Sequence, residues 1–363
     1  MKKTALYENH KNSGAKIVEF AGWMMPVEYE GLRQEHLAVR SSVGIFDVSH
    51  MGEVEIVGKD AREFSQKLSS NNINKIVSNQ AQYGLLCNHE GGVVDDVIFY
   101  MLSDDHFLIC VNAANTDKDY EWIIKIKKEF GFESEVINRS NEYSQIAVQG
   151  PNAVSLLVKM MGNEISSIKR FRFEKIDWNG VGIIIARTGY TGEDGYEVFL
   201  PWDGGPVFWE ELIKQGEVLG LKECGLGCRD TLRLEMGYPL YGNELNDITN
   251  PVESGLAYFV KSNDKDNEFV GKEEIVKQLK YGLEKKLIGF TMVDPGIARK
   301  GYKLTEDEKV IGIVSSGTHS PSLNRSIGMG LININCDEKN LSVDIRNKYR
   351  KIEIVDIPFY KKQ

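Results

Sequence analysis

The chain has 363 residues, of which 42% are hydrophobic and 27% charged, and its formal net charge at pH 7 is −9. A chain of this length can bury a large core and usually forms two or three domains. Because nucleic-acid backbones are bound by clustered Lys and Arg, the negative charge argues against a nucleic acid as the partner. No apolar stretch approaches the roughly 18 residues of a membrane-spanning helix, and the start is polar, which predicts a cytoplasmic protein without a membrane partner.

The five cysteines are odd in number and scattered along the chain. This pattern favours reduced thiols over a disulfide framework. Cys224 and Cys228 lie four residues apart. A structural zinc site needs four ligands, and no second pair stands at a suitable spacing. The sequence therefore predicts no metal site.

The first part of the chain predicts short strands and helices in alternation. Residues 20–26 contain Pro26 and are expected to form a loop or the end of a strand. A helix is expected over 33–40 and a strand over 52–57, where apolar residues alternate with others. Asp60 is expected to cap the helix that follows.

A double-glycine turn at Gly91 and Gly92 precedes a run of β-branched and aromatic residues over 93–102, which predicts a strand. Asp95 and Asp96 interrupt this run. Neighbouring side chains on a strand point to opposite faces, so the two carboxylates are not expected to act as an acid–base pair. An acid on an apolar face is costly without a partner, so it belongs either to a functional site or to a salt bridge. The spacing does not choose between these readings or between the two residues.

The middle of the chain predicts core helices and a glycine-spaced loop between two strands. The strands are expected at 182–187 and 196–200, and the loop at 188–195 joins them. The helices are expected over 119–130, from Pro151, over 206–219 and over 229–236.

Two charged residues in this region have a structural and a functional interpretation. Glu197 lies on the second expected strand, where an exposed face is the simpler explanation. A carboxylate can also accept two parallel hydrogen bonds from the N–H and NH₂ groups of a pterin or purine ring. Arg229 stands beside Asp230 at the start of a helix, where an ion pair within the helix is the simpler explanation. Alternatively, its guanidinium meets a carbonyl or carboxylate of a ligand.

Common cofactor and catalytic signatures are missing from the sequence. It contains neither the dinucleotide-binding pattern G-x-G-x-x-G nor a phosphate-binding loop, and it has no G-x-S-x-G nucleophile turn. The six histidines are isolated, and His50 is interpreted as a buried core residue. Hydride transfer, phosphoryl transfer and metal-dependent hydrolysis are therefore disfavoured.

The last part of the chain has a different character. After a polar, charged stretch over 262–286, short apolar runs alternate with turn residues. This pattern predicts a small separate β-barrel. The apolar runs lie at 287–293, 309–314, 327–334, 341–345 and 352–357.

Seven segments, in the same order and spacing, resemble the aminomethyltransferase, or T-protein, of the glycine cleavage system. They are 20–27 (FAGWMMPV), 46–51 (FDVSHM), 91–96 (GGVVDD), 148–151 (VQGP), 187–197 (RTGYTGEDGYE), 229–235 (RDTLRLE) and 315–322 (SSGTHSPS). The resemblance implies an α+β, multidomain folate-binding fold with a C-terminal β-barrel, arranged around a central opening. The implied domains are a folate-binding region over 1–265, with lobes 1–50 plus 138–265 and 51–137, and a barrel over 280–363.

The same resemblance implies transfer of the one-carbon unit from an S-aminomethyl-dihydrolipoyl carrier protein (H-protein) to tetrahydrofolate, a substrate, with release of ammonia and no need for a metal. Asp96 matches the catalytic aspartate of the family. Glu197 and Arg229 match residues that hold the polar edge of the substrate ring, although for Arg229 the acidic tail stays an alternative. The other implied folate contacts are Tyr360, Tyr83, Asn112 and Tyr190.

Two other functions occur in the same fold. A demethylating domain that acts on dimethylglycine or sarcosine is usually fused to a flavin oxidase, which this sequence does not include. A non-enzymatic folate-binding module that assists iron–sulfur cluster assembly carries a Lys-Gly-Cys-Tyr-like motif. The corresponding place, 237–243, reads GYPLYGN, as in the transferases. The sequence thus favours the aminomethyltransferase and leaves open the oligomeric state, the carrier-docking surface and the folate polyglutamate preference.

Overall fold

A computed structural model describes residues 1–362, and the chain divides into two compact units. The first unit consists of Met1–Ser65, Ile73–Tyr83 and Val97–Asp230. The second consists of Gln66–Asn72, Gly84–Asp96 and the chain from Thr231 onward. The chain therefore passes between the units several times, in places within a strand or a helix.

The α-helices of the described residues are α1 (Tyr7–Asn12), α2 (Leu32–Ser41), α3 (Ala61–Leu68), α4 (Thr116–Phe130), α5 (Ala153–Met161), α6 (Gly205–Gly216), α7 (Leu226–Glu235) and α8 (Lys272–Tyr281). The strands are β1 (Lys16–Phe20), β2 (Trp23–Glu28), β3 (Val43–Asp47), β4 (Gly52–Val57), β5 (Gln80–Cys87), β6 (Val93–Ser103), β7 (His106–Val111), β8 (Glu135–Asn138), β9 (Tyr143–Gln149), β10 (Phe173–Trp178), β11 (Val181–Ala186), β12 (Gly195–Pro201), β13 (Leu221–Glu223), β14 (Lys285–Met292), β15 (Lys303–Glu306), β16 (Lys309–Ser320), β17 (Arg325–Asn333), β18 (Leu341–Asp344) and β19 (Tyr349–Val355).

A six-stranded sheet of order β10-β11-β12-β9-β3-β13 supports the first unit. Its strands are antiparallel to their neighbours except for β13, which runs parallel to β3. Side chains alternate between the faces of a strand. Tyr196 and Val198 of β12 therefore share one face, where they join a core with Phe208 and Trp209 of α6. Burial of these large apolar side chains fixes which face of β12 is turned towards the helices.

The opposite face of this sheet packs against a second, five-stranded sheet of order β5-β6-β7-β4-β8. One apolar cluster contains Phe199 of β12 together with Tyr100 of β6 and Leu108 of β7. The rings of Tyr100 and Phe199 meet edge to face with their centroids 5.3 Å apart. The layer between these two sheets is the inter-sheet layer, and by alternation along β12 it also receives the side chain of Glu197.

The second unit contains a closed barrel of order β14-β17-β16-β15-β18-β19. Phe290, Val314 and Ile332 are among the buried residues that fill it. A Cβ at Gly328 would lie 2.4 Å from the ring of Phe290, so a residue without a side chain is needed there for the ring to fit. The barrel and the mixture of helices with antiparallel sheets confirm the α+β class and the C-terminal β-barrel expected from the sequence.

Several details differ from the sequence-based expectation. Residues 20–26 contain the end of β1 and a turn, in line with the expected loop or strand end, but β2 then continues through Pro26 in a two-stranded sheet, where a missing N–H is tolerated. The Asp60 carboxylate accepts hydrogen bonds from the N–H groups of Glu133 and Ser134 at 2.7 and 2.8 Å. It therefore ties α3 to a later loop. Strand β15 and helix α8 were not expected.

No helix within residues 1–362 is long and apolar enough to cross a membrane.

Candidate functional site

Glu197 is a buried acid in the middle of the six-stranded sheet, with an exposed fraction of 6%. Its Oε2 accepts a hydrogen bond of 2.6 Å from the Thr188 hydroxyl, and the Gln145 amide nitrogen lies 3.5 Å from its Oε1. A carboxylate can accept about four hydrogen bonds. Burial raises the pKa of Tyr100, and the negative charge of Glu197 raises it further. Glu197 thus retains the capacity to accept further N–H groups.

The loop between β11 and β12 carries Thr188 and Tyr190. Ion pairs and hydrogen bonds of two arginines hold this loop in place. The guanidinium of Arg187 donates to both oxygens of Asp194 at 2.9 and 2.5 Å. Arg40 donates to the Thr191 carbonyl at 2.7 Å and to Glu193 Oε1 at 3.0 Å, and both charged groups of that pair are almost fully buried. Bidentate and buried pairs of this kind fix geometry. These contacts therefore hold the glycine-spaced loop in one conformation.

Gln149 on β9 braces the same loop from inside. Its amide nitrogen donates to the Thr188 carbonyl at 3.1 Å, and its oxygen accepts from the Thr191 hydroxyl at 2.8 Å. A Cβ at Gly189 would lie 2.0 Å from the Gln149 amide oxygen. The glycine in this loop is thus required because the brace passes directly beneath it.

Arg229 and Tyr190 are brought together by the fold. The guanidinium carbon of Arg229, on α7, lies 4.9 Å from the centroid of the Tyr190 ring, which is a cation–π contact. The contact holds the guanidinium over the aromatic ring of the loop between β11 and β12. The ion pair with Asp230 was the simpler expectation, and the observed ring contact adds a partner that the sequence did not indicate.

Asn112 follows directly after β7, and its carbonyl accepts a hydrogen bond from the Asn115 N–H at 2.9 Å. Tyr83 is half-buried on β5, at the end of a segment of the first unit. The residues after Asn112 line a cavity of about 250 Å³. Its other walls include Trp23, His50 and Met51. The sequence offered no signal for this cavity, because its walls come from distant parts of the chain.

His50 is buried, as expected, but it also lines the cavity. Its ring meets Phe20 edge to face with centroids 5.7 Å apart. Burial lowers the pKa of His50 to about 4, with the Arg229 charge acting in the same direction and Asp47 opposing. Its Nδ1 has no hydrogen-bond partner among residues 1–362. His50 is therefore a neutral imidazole at neutral pH.

Asp95 and Asp96 occupy the part of β6 that belongs to the second unit, and their surroundings differ. Asp95 is fully buried, whereas Asp96 is partly exposed. The turn before them is rigid, since the Gly92 N–H donates to Asn88 Oδ1 at 2.8 Å and the Asn88 amide donates to the Asp247 carbonyl at 2.7 Å. A Cβ at Gly92 would lie 1.8 Å from that carbonyl oxygen. Asp96 therefore lies on a strand whose start is tightly fixed.

Tyr360 is held by the end of α7 within the second unit. Its N–H donates to the Glu235 carbonyl at 3.0 Å. The Glu235 carboxylate in turn accepts hydrogen bonds from the hydroxyls of Ser320 and Ser322 at 2.5 and 2.9 Å. Phe359 packs with Leu234 in a small apolar cluster. These contacts anchor the C-terminal segment that carries Tyr360, the expected folate contact.

The cysteines are thiols without disulfide bonds. None of the five, all within the described residues 1–362, forms a disulfide; Cys87, Cys110, Cys224 and Cys228 are buried, and Cys336 is half-buried. Burial raises the pKa of Cys87 to about 12, and it also raises the pKa of Cys110 and of Cys224. Among residues 1–362 no group of three or more His, Cys, Asp and Glu is placed to hold a metal.

Comparison with known proteins covers the whole chain. The GCVT N-terminal domain matches residues 6–264, and the glycine cleavage T-protein C-terminal barrel domain matches 285–361. Aminomethyltransferases of Desulfitobacterium hafniense (strain Y51) and Caldanaerobacter subterraneus subsp. tengcongensis are 47% and 46% identical, and each match covers 100% of this chain and 99% or 96% of the relative. The crystal structure of glycine cleavage system aminomethyltransferase T from Bartonella henselae matches with a TM-score of 0.91 at 30% identity, over 99% of this chain and 98% of that one.

The paired sheets, the terminal barrel and these full-length matches define a transferase of the glycine cleavage type. The chain belongs to the aminomethyltransferase, or T-protein, family of the glycine cleavage system. It is an enzyme of that system, and aminomethyl transfer is its activity. The family, the fold and the activity expected from the sequence are confirmed.

Proposed function

We propose that the chain transfers the one-carbon unit of an S-aminomethyl-dihydrolipoyl carrier protein to tetrahydrofolate and yields ammonia and 5,10-methylenetetrahydrofolate. The observation that carries this proposal is Glu197, a buried carboxylate that retains acceptor capacity beside a clamped loop. The N–H and NH₂ groups of a pterin ring match such an acceptor, because two parallel hydrogen bonds to one carboxylate give both affinity and orientation.

Arg229 and Tyr190 support ring binding in the first unit. Their cation–π contact preorganises a guanidinium and an aromatic face, and preorganised groups lose less entropy when a ligand binds. The guanidinium serves either a carbonyl of the ring or the acidic tail of the folate. Tyr83 and Asn112, in the same unit, and Tyr360, in the second, are proposed as further folate contacts.

Asp96 is proposed as the catalytic residue. Its partial exposure leaves it accessible to a substrate, and the rigid turn before it fixes the strand on which it lies. The folate amine attacks the methylene carbon of the donor, and Asp96 orients that amine and accepts its proton. General-base or electrostatic assistance of this kind typically contributes about 10²- to 10⁴-fold in rate.

The atoms of the reaction balance without a metal or an oxidant. The methylene carbon forms bonds to the two folate nitrogens, and its bonds to sulfur and to the amine nitrogen break. The two hydrogens of the folate amines then leave with the products, one on the carrier thiol and one on ammonia. The partner is therefore a lipoylated carrier protein, and the expected location is the cytoplasm, where folate and reduced thiols occur together.

The test is a reconstituted reaction of the purified chain with aminomethylated lipoyl carrier protein and tetrahydrofolate. We expect ammonia and methylenetetrahydrofolate in equal amounts, and neither product when tetrahydrofolate is omitted. Release of formaldehyde from dimethylglycine or sarcosine instead would support the demethylating alternative. Absence of both products with a functional carrier would refute the proposal.

A further inference from the structure

Glu53 is a second buried acid of the first unit, on β4, and only 1% of it is exposed. Neither of its carboxylate oxygens has a hydrogen-bond partner among the described residues. Its main chain is well bonded, since its N–H donates to the Ser140 hydroxyl at 3.0 Å and its carbonyl accepts from the Arg139 N–H at 2.8 Å. The strand therefore does not need an acidic side chain at this position.

The neighbouring acid on the same face of β4 shows the contrast. Glu55 accepts a hydrogen bond of 3.1 Å from Arg139 and lies 3.4 Å from the ring of His106. These partners lower the pKa of Glu55. The two acids lie two residues apart on one strand, but Glu55 is a paired structural carboxylate. Glu55 therefore serves as a comparison for Glu53, because both acids lie on the same face of β4 but only the Glu55 carboxylate has hydrogen-bond partners within residues 1–362.

The register of the sheet places Glu53 in the inter-sheet layer. Glu53 lies directly opposite Cys110 on β7, and directly opposed residues of antiparallel strands share a face. The Cys110 thiol donates to Gln145 Oε1 at 3.7 Å, and the Gln145 amide nitrogen is 3.5 Å from Glu197 Oε1. A row of polar side chains therefore leads from Glu53 to Glu197, the acid proposed to hold the ring edge.

Electrostatics shows that the two acids share neighbours. Burial raises the pKa of Cys110, and the carboxyl groups of Glu53 and Glu197 raise it further whenever they are ionised. Burial also raises the pKa of Tyr100, and the same two acids, when ionised, raise it further, Glu197 more than Glu53. Both acids thus act on the same two side chains of the inter-sheet layer.

Burial affects the protonation of Glu53. Burial raises the pKa of Glu53 well above its ordinary value, because desolvation favours the uncharged form of the acid. A neutral carboxylic acid offers one O–H donor as well as acceptor positions, which a carboxylate cannot. A buried polar group without a hydrogen-bond partner destabilises the folded state, so an apolar side chain of similar size would favour folding. Local choices that oppose stability in this way occur mainly at functional positions.

We propose that Glu53 is a ligand-binding residue of the inter-sheet layer, a neutral carboxylic acid that donates its hydrogen to an acceptor atom of the bound pterin. Glu197 accepts the N–H groups of the ring, and Glu53 supplies the donor for a neighbouring carbonyl or ring nitrogen. This inference rests on the proposed function, because it takes a reduced pterin as the ligand. It assigns opposite hydrogen-bonding roles to two acids of the same layer.

The test compares Glu53→Leu and Glu53→Gln with the unaltered chain in thermal unfolding without ligand and in binding of tetrahydrofolate. Glu53→Leu removes a buried polar group, so we expect a melting temperature about 2 °C higher. The same change should raise the dissociation constant about tenfold. Glu53→Gln keeps a neutral donor and should bind within about threefold of the unaltered chain.

Glu55→Gln is the matched control. It weakens a paired acid of the same strand, so we expect a lower melting temperature and an unchanged dissociation constant. Tetrahydropterin, which lacks the folate tail, should show the same loss with Glu53→Leu, because the proposed contact is with the ring. A purely structural role would give the opposite pattern, namely lower stability with unchanged binding.

The outcomes separate this inference from the proposed function. If the unaltered chain does not bind tetrahydrofolate, the proposed function fails. If it binds and Glu53→Leu binds equally well, the inference is overturned while the proposed function stands. A Glu53→Leu protein that is less stable or does not fold also overturns the inference, because the acid would then have an essential partner in the free protein.

Discussion

Asp96 and Asp95 are neighbours on β6, but only Asp96 is partly exposed. Asp96→Asn keeps the size and polarity of the side chain and removes its ability to accept a proton. We therefore expect kcat to fall by about 10²-fold or more, with a dissociation constant for tetrahydrofolate within a few-fold of the original. Steady-state kinetics with the aminomethylated carrier and equilibrium folate binding measure the two effects. Near-normal turnover with bound folate would refute the assignment.

His50 gives a prediction about stability and pH. The pKa of His50 is about 4 in the folded chain, against an ordinary value of 6.5. As the pH falls below 6.5, the unfolded chain gains a proton that the folded chain cannot take until the pH approaches 4, so stability falls over this window. Above 6.5 both states are neutral at His50 and the effect disappears.

His50→Gln should reduce this acid sensitivity. At pH 5, the difference of about 1.5 pH units below 6.5 corresponds to about 2 kcal/mol. The loss in unfolding free energy between pH 7 and pH 5 should therefore be smaller in His50→Gln by about that amount. Urea unfolding of both proteins at the two pH values measures it. An identical pH dependence would show that His50 is charged or solvated in the folded protein.

At the residue scale, the sequence indicated which residues are candidates for the site better than it indicated their burial and their partners. The alternation of side chains on β6 predicted that Asp95 and Asp96 lie on opposite faces, but it did not indicate which of the two is functional. The burial of Glu197 was not predictable, because it depends on the second sheet, whose contribution comes from distant chain segments. Glu53 carried no sequence signal at all, since an acid on an alternating strand looks like an ordinary exposed residue. The burial of Glu53 depends on the sheet that covers this face of β4, and its lack of a hydrogen-bond partner among the described residues is apparent only by comparison with Glu55.

At the element scale, the turn before β6 is the most constrained connection of the candidate site. Gly92→Ala would place a Cβ 1.8 Å from the Asp247 carbonyl oxygen, so the turn must shift. We expect a loss of stability of about 2 kcal/mol or more. A fall in kcat of about tenfold should accompany it, because Asp96 follows on the same strand. Thermal unfolding and steady-state kinetics check both values.

Gly182→Ala is the control for the turn variant. Gly182 lies on β11, and no atom lies within 4 Å of the Cβ that would be added. This change should alter stability by less than about 0.5 kcal/mol and leave kcat unchanged. If the two alanine variants behave alike, close packing at Gly92 is not what holds the turn.

Element prediction failed where local composition and tertiary context disagree. No element was expected in the charged stretch over 262–286, but it contains α8, whose Ile275 is buried. A single buried face stabilises a helix even when most of its residues are polar. Strand β15 was missed because four residues between turns carry too short a pattern to recognise. Strands with long apolar runs were predicted well, since their periodicity is visible without knowledge of their partners.

At the scale of the whole molecule, the residues before the barrel are part of the second unit. The Asn267 amide donates to the Ser70 carbonyl at 3.0 Å, and the Val270 N–H donates to the Lys67 carbonyl at 3.0 Å. The segment 262–284 therefore supports a chain segment almost 200 residues earlier. The division into domains over 1–265 and 280–363 stays a prediction, and these hydrogen bonds give it a test.

Two fragments make this test direct. A fragment of residues 1–284 keeps α8 and the hydrogen bonds of Asn267 and Val270 to the early segment, whereas a fragment of residues 1–265 loses them. We expect the longer fragment to melt at a higher temperature, by several degrees, and to resist limited proteolysis around residues 66–72. Equal stability of the two fragments would place the boundary at 265, as the sequence pattern suggested.

The distribution of the thiols has a practical consequence. Four of the five cysteines are buried, and Cys336, in the loop after β17, is the half-buried one. Because alkylating reagents need an accessible thiolate, the native fold should direct a maleimide dye to Cys336. The unmutated enzyme thus carries its own attachment point for a fluorescent reporter on the barrel, and docking of the carrier could be followed in real time without any cysteine being engineered.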